Sequence, residues 1–211
     1  MNGCCGHENA VFDGMSARYR RILWFVIAIN AVMFGVEMLA GHHAGSQALK
    51  ADALDFLADS VTYGISLWAI GKADRTRALA ALGKGVSLAL IGLWVLGSTA
   101  YQVLILGMPN ATMMGAVALL ACAANLLSVL LLVRYKDGDA NVRSVWLCSR
   151  NDALGNLGVV AAAGLVFVTT SGIPDLLIAG AMAGLFCWSA TEIIRKALGE
   201  LRASGVGDAA V

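Results

Sequence analysis

Six apolar stretches, each close to the length of a bilayer-spanning helix, constrain this chain more than any other feature. A spanning helix needs about 20 mostly apolar residues, and lipid offers the backbone no hydrogen-bond partners, so such stretches fold as a helical bundle. Of the 211 residues, 59% are hydrophobic and only 14% are charged, against about 25% charged in soluble domains. The stretches cover residues 22–40, 53–71, 86–106, 111–133, 145–169 and 173–194.

The basic residues predict how this bundle is oriented. All of the 15 Lys and Arg residues except Lys50 lie before the first stretch, around the second and fourth connections, or after the sixth stretch. Basic residues accumulate on the cytoplasmic side of membrane proteins, so both termini are predicted to be cytoplasmic. We therefore expect an all-α membrane protein with six transmembrane helices over 22–194, a cytoplasmic tail over 1–21 and a short one over 195–211.

The second stretch carries three carboxylates where lipid-facing side chains would be apolar. Asp52, Asp55 and Asp59 are spaced three and four residues apart, so a helix presents them on one side. A carboxylate near the bilayer centre costs about 2.5–3.5 kcal/mol on insertion scales, and neighbouring carboxylates repel each other. The arrangement indicates a positive partner: a metal ion, a proton or a basic side chain.

The fifth stretch offers a matching set of side chains. Cys148, Asp152 and Asn156 are each four residues apart and share a helix face, with Asn151 one position round. If this face meets that of Asp55 and Asp59, three carboxylates and a thiol, or three carboxylates and one of the two asparagines, surround one point. Carboxylates alone favour hard ions such as Mn²⁺, whereas a thiolate shifts the preference to Zn²⁺ or Cd²⁺. The alternative is that the acids pair with Arg150 or Lys50, or stay protonated.

Other polar residues are secondary candidates. Glu37 lies near the outer end of the first stretch, where it is expected to reach the membrane interface, with a role in proton or ion passage as the alternative. The sequence predicts an external connection over 41–47, in which the two adjacent histidines are either solvated or a point of metal passage. The N-terminal tail has three closely spaced soft ligands, which either capture metal or do nothing. These side chains are His42 and His43 in the connection, and Cys4, Cys5 and His7 in the tail.

At these residues the chain resembles the cation diffusion facilitator family. The resemblance covers residues 18–198 and rests on Glu37, on the run from Gly45 through Asp52 to Asp59, and on the segment that begins Asp152-Ala-Leu-Gly. It implies homodimers, a cytosolic N terminus and alternating access driven by proton exchange. The family's transport site, an acid or His with an Asp four later on helix two and a His with an Asp four later on helix five, corresponds here to Asp55, Asp59, Cys148 and Asp152.

Two departures from the family pattern shape the expectation. Cys148 replaces the helix-five histidine, so Asn151 or Asn156 is an alternative fourth ligand, and Asp52, one turn nearer the outside and beside Lys50, is interpreted as a partner or access residue. We also expect the short bacterial form, without the usual cytoplasmic domain after helix six.

The resulting hypothesis is a secondary active transporter in a bacterial inner membrane. It would export Zn²⁺, Cd²⁺ or Co²⁺ as substrate in exchange for protons, with no prosthetic group, no nucleic-acid partner and the lipid bilayer around it. The alternative is a membrane metal sensor or assembly subunit that binds metal without transport. An intramembrane hydrolase is disfavoured because no His stands beside a Ser and there is no H-E-x-x-H motif.

Overall fold

The computed structural model describes residues 16–69, 72, 74–105, 107–137 and 140–208. Within these ranges the chain is helical and has no strand, so the all-α prediction is confirmed. The described residues form six long helices and one short 3₁₀ turn, Val133–Tyr135. They are α1 (Ala17–Ala44), α2 (Gln47–Ala69), α3 (Asp74–Ile105), α4 (Ala111–Leu132), α5 (Ala140–Thr169) and α6 (Ile173–Asp208).

Five of the helices contain segments long and apolar enough to cross a membrane: Ala17–Ala44, Ala78–Ile105, Ala111–Tyr135, Cys148–Thr169 and Ile173–Arg202. Helix α2 is 23 residues long but carries Lys50 and three aspartates. Many large apolar side chains of the bundle point outward, for example Leu104 at 81% exposed and Val168 at 78%. Such a surface suits lipid and not water, so this is a membrane protein.

The helices pair along the chain and then across it. Helix α1 packs on α2, α4 on α5, and α3 on α6, while α2 also contacts α3, α5 and α6. Helix α2 is therefore surrounded by other helices, which shelters its acids from lipid. Elsewhere in the bundle, the close approach of α3 to α6 depends on glycine, because a Cβ on Gly92 would lie 2.8 Å from the Cys187 sulfur.

Three connections meet at one end of the bundle, here called the Ser46 end. Helix α1 ends at Gly45, whose φ of 69° is left-handed and suits glycine. The backbone N–H of Asn110, which caps α4, donates to the carbonyl of Ala44 at 2.8 Å. The predicted bounds of the connection, 41–47, are wrong: α1 continues to Ala44 and α2 begins at Gln47, so His42 and His43 lie exposed in the last turn of α1.

Apolar clusters fill the bundle at several levels. At the Ser46 end, small side chains from α1, α2, α4 and α5 form the Ser46-end cluster; further along, a middle cluster joins α1, α2 and α4. The Ser46-end cluster comprises Ala40, Ala44, Ala48, Leu49, Met114, Ala118, Val159, Ala162 and Ala163, and the middle cluster Met33, Phe56 and Ala121. Polar side chains occupy the space between and beside them.

Candidate metal centre

The acids of α2 and α5 converge inside the bundle. The two helices contact each other, and the side chains of Asp55 and Asp59 both lie within hydrogen-bonding reach of Asp152. Cys148 is close enough to interact electrostatically with both α2 acids. Asp59 is only 8% exposed, and Oδ2 of Asp152 is buried with no hydrogen-bond donor among the described residues. The pairing of the two helix faces is thus present in the fold.

A cavity of about 670 Å³ opens beside these acids. Its walls come from α2, α3, α5 and α6. Of the predicted site residues it is lined by all four primary candidates and by two of the secondary ones, Asp52 and Asn151. The third secondary candidate, Asn156, is fully buried outside its lining. The carboxylates of α2 and α5 are therefore accessible from this cavity.

The side chains do not form a closed coordination shell. In the part of the chain that the structure describes, no group of three or more His, Cys, Asp or Glu side chains is arranged so that it could hold a metal ion. Two carboxylates 4 Å apart repel by about 4 kcal/mol at an effective dielectric constant near 20. The acids of α2 and α5 therefore disfavour full ionisation unless a positive charge lies beside them.

Tyr63 holds one of the acids in place. Its hydroxyl donates to Oδ2 of Asp59 at 2.5 Å and lies 3.1 Å from the hydroxyl of Ser149 on α5. The ring is fully buried, so the phenol fixes the Asp59 carboxylate and links α2 to α5. Sequence reasoning missed this role, although Tyr63 follows Asp59 by four residues on the same helix face.

Lys84 supplies a positive charge that the sequence did not place at the site. It lies on α3, lines the cavity, and interacts electrostatically with Asp59 and Cys148. Its ammonium donates to the hydroxyl of Ser66 on α2 at 3.1 Å. This ammonium offsets part of the negative charge of the cavity.

The basic partners that the sequence suggested for the acids lie elsewhere. Arg150 donates to the side-chain oxygen of Asn151 at 3.2 Å and stacks over the ring of Trp146. Lys50 interacts with Asp175 on α6, and Asp52 faces Glu37. Asp52, interpreted from the sequence as a partner or access residue, therefore faces Glu37 and lines the cavity.

Glu37 is also not where it was expected. Its side chain is fully buried, with both oxygens lacking a hydrogen-bond donor among the described residues, so it does not reach the interface. The cause is the packing of α1 on α2, which turns this face of α1 inward toward Asp52. The predicted tail ligands Cys4, Cys5 and His7 lie outside the described residues.

Asp175, which sequence reasoning missed, anchors the start of α2. Its carboxylate accepts hydrogen bonds from the hydroxyl of Ser46 at 2.5 Å and from the backbone N–H groups of Gln47 and Ala48 at 2.8 and 3.1 Å. The first N–H groups of a helix have no partner within it and attract an acceptor. Here the acceptor comes from α6, more than 120 residues away, which no local pattern reveals.

An apolar helical bundle with acids from two helices around one cavity defines a polytopic membrane protein with an acidic centre. The family model of the cation efflux transmembrane domain matches residues 23–202. The chain belongs to this family, and the resemblance to the cation diffusion facilitators is confirmed.

Two curated relatives are similar along most of the chain. They are the metal cation efflux system protein CzcD of Cupriavidus metallidurans and the cation efflux system protein CzcD of Alcaligenes sp. strain CT14. Each is 28% identical over 200 residues, which is 89% of this chain and 63% of the relative. The chain thus spans less than two thirds of the length of the relatives it matches.

Proposed function

We propose that the protein exports a divalent metal cation across the membrane in exchange for protons. The observation that carries the proposal is the convergence of Asp55, Asp59 and Asp152 from two helices on one cavity. The match to the cation efflux domain and the names of the two relatives support metal efflux as the activity. Buried carboxylates that compete for metal and protons provide the coupling, since ligands must lose their protons before metal binds.

The metal ligands in this proposal are Asp55, Asp59, Asp152 and the thiolate of Cys148. All four line the cavity, and Asn151, exposed and engaged by Arg150, is an alternative for the fourth position. Asp52 lies on the Ser46-end side of the other three aspartates and faces Glu37. In this proposal it is therefore an access residue and not a metal ligand.

The chemistry of these ligands also indicates which class of metal ion would bind. A thiolate beside carboxylates favours Zn²⁺, Cd²⁺ or Co²⁺ over Mn²⁺. A single divalent ion offsets two of the four negative charges of three carboxylates and a thiolate, and so lowers the repulsion between these side chains. Metal release on the opposite side then follows when protons return to the same oxygens, which shifts the population of the two access states.

The orientation in the membrane is part of the same proposal. Helix α2 serves as the sixth span, because its charged side chains face helices and a cavity instead of lipid. Both termini lie in the cytoplasm by the distribution of Lys and Arg, so the Ser46 end faces outward. We place the protein in a bacterial inner membrane as a homodimer, whose contacts would come from exposed apolar helix faces.

The test is metal-driven proton flux in liposomes that contain the purified protein. Addition of Zn²⁺ or Cd²⁺ outside should produce proton movement in the opposite direction, and Asp59→Ala or Asp152→Ala should abolish it. Glu192→Ala is the control, because this exposed acid contacts only Arg195 at 3.7 Å among the described ion pairs. Full flux in either cavity variant contradicts the site, and tight metal binding without any flux favours a sensor or assembly subunit.

A further inference from the structure

A second polar layer lies between two apolar clusters, on the Ser46-end side of the metal centre. Glu37 from α1, Asp52 from α2 and Asn156 from α5 are at most 2% exposed. Each stands three residues along its helix from a member of the Ser46-end cluster, which places the three at one level; those members are Ala40, Leu49 and Val159. Glu37 and Asp52 are also four residues from members of the middle cluster.

The side chains of this layer lack partners. Both oxygens of Glu37, Oδ2 of Asp52 and both polar atoms of Asn156 are buried without a hydrogen bond among the described residues. The carboxyl groups of Glu37 and Asp52 nevertheless lie within hydrogen-bonding reach of each other. Two ionised carboxylates cannot form that bond, whereas a carboxylic acid and a carboxylate can.

The charged groups around the pair do not neutralise it. On α2, Asp55 adds a further negative charge near both acids, and Lys50 interacts with Asp175 of α6. Helix α4 contributes no charged residue, and the acid and thiol of α5, Asp152 and Cys148, lie toward Asp55 and Asp59. A proton is the positive charge that fits between the two carboxyl groups, because Glu37 is fully buried and does not line the cavity, whereas Asp52 does.

We propose that Glu37 and Asp52 share one proton and form a second proton-exchange site, distinct from the metal ligands. The inference rests on the proposed function and extends it. With one proton the pair carries a single negative charge; metal arriving beside Asp55 favours loss of this proton through Asp52, which lines the cavity. Proton binding and metal binding oppose each other, and this coupling is reciprocal.

The experiment uses the purified full-length protein in lipid nanodiscs and infrared difference spectroscopy at neutral pH. The wild type should show a protonated-carboxyl band that is absent from Glu37→Gln and shifted or absent in Asp52→Asn. Addition of Cd²⁺ should remove this band in the wild type. Glu192→Gln, which neutralises an exposed acid, should leave the band unchanged.

Calorimetric titration with Cd²⁺ in buffers of different ionisation enthalpy counts the protons released in the same samples. Glu37→Gln should still bind Cd²⁺ but release up to about one proton fewer per ion. Spectra in which both acid variants keep every wild-type carboxyl band refute the shared proton, and an unchanged proton count in Glu37→Gln refutes its coupling to metal. If the wild type binds no Cd²⁺ while the assigned band is present, the metal centre fails and the protonated pair stands.

If Glu37→Gln does not yield folded protein, the spectrum of Asp52→Asn tests the assignment instead, because the protonated-carboxyl band should be shifted or absent in that variant too. A wild-type spectrum without any protonated-carboxyl band refutes the proposal without a variant.

Discussion

Replacing Asp175 by alanine should loosen the start of the helix that carries the metal ligands. The side chain of Asp175 is 1% exposed and its carboxylate accepts three hydrogen bonds at the start of α2, one from the hydroxyl of Ser46, which precedes the helix, and two from the backbone N–H groups of Gln47 and Ala48. The hydroxyl of Ser46 also accepts from the N–H of Leu49 at 3.0 Å. Asp175→Ala therefore removes the acceptor at the centre of this network.

The expected cost follows from those bonds. A hydrogen bond to a charged group contributes about 1.5–3 kcal/mol, and loss of a helix N-cap costs about 0.5–2 kcal/mol. Because the three bonds share one carboxylate and Ser46 can reorient, we expect a loss of about 3 kcal/mol and not the full sum. For a chain of this size that lowers the melting temperature by about 6–12 °C. Asp175→Asn, which keeps one carbonyl oxygen as acceptor, should lose about half as much.

The assay is thermal unfolding of the purified protein in detergent, followed by size-exclusion fluorescence. Glu192→Ala is the matched control, since an exposed acid paired at i, i+3 contributes about 0–1 kcal/mol. A melting temperature for Asp175→Ala equal to that of Glu192→Ala would refute the reasoning. The same outcome for Asp175→Asn and Asp175→Ala would show that the retained acceptor contributes nothing.

Three further predictions test the site and the packing. Tyr63→Phe removes the hydroxyl that holds Asp59 and should weaken Cd²⁺ binding roughly tenfold, as for loss of a hydrogen bond to a charged group; unchanged calorimetric affinity contradicts it. Cys148→Ser should weaken Cd²⁺ binding more than Mn²⁺ binding, and equal effects in competition titrations would show that the thiol is not a ligand. Gly92→Ala should destabilise the protein by about 1–3 kcal/mol through overpacking, whereas Gly97→Ala, with nothing within 4 Å of the new Cβ, should be neutral or stabilising; similar melting temperatures contradict the contact.

The composition of the chain and the spacing of its polar residues predict much of the fold and of the candidate site. Apolar stretches of bilayer length predict helices by themselves, because lipid leaves the backbone no other hydrogen-bonded structure. The spacing of Asp55 with Asp59 and of Cys148 with Asp152 predicts two facing pairs, since residues four apart share a helix face. The helix ends were predicted less well. Helices α1 and α3 begin several residues before the predicted spans, because a helix continues past an apolar stretch wherever its backbone hydrogen bonds are satisfied.

Which polar side chains meet depends on how the helices pack against one another. Glu37 was expected at the interface and is instead buried against Asp52, since the packing of α1 on α2 sets the direction of that face. Asp175 holds the start of α2 from across the chain, and Lys84 reaches the cavity from α3. A sequence fixes local geometry through bond angles and side-chain periodicity; contacts between distant segments depend on the packing of whole helices, which no short pattern contains.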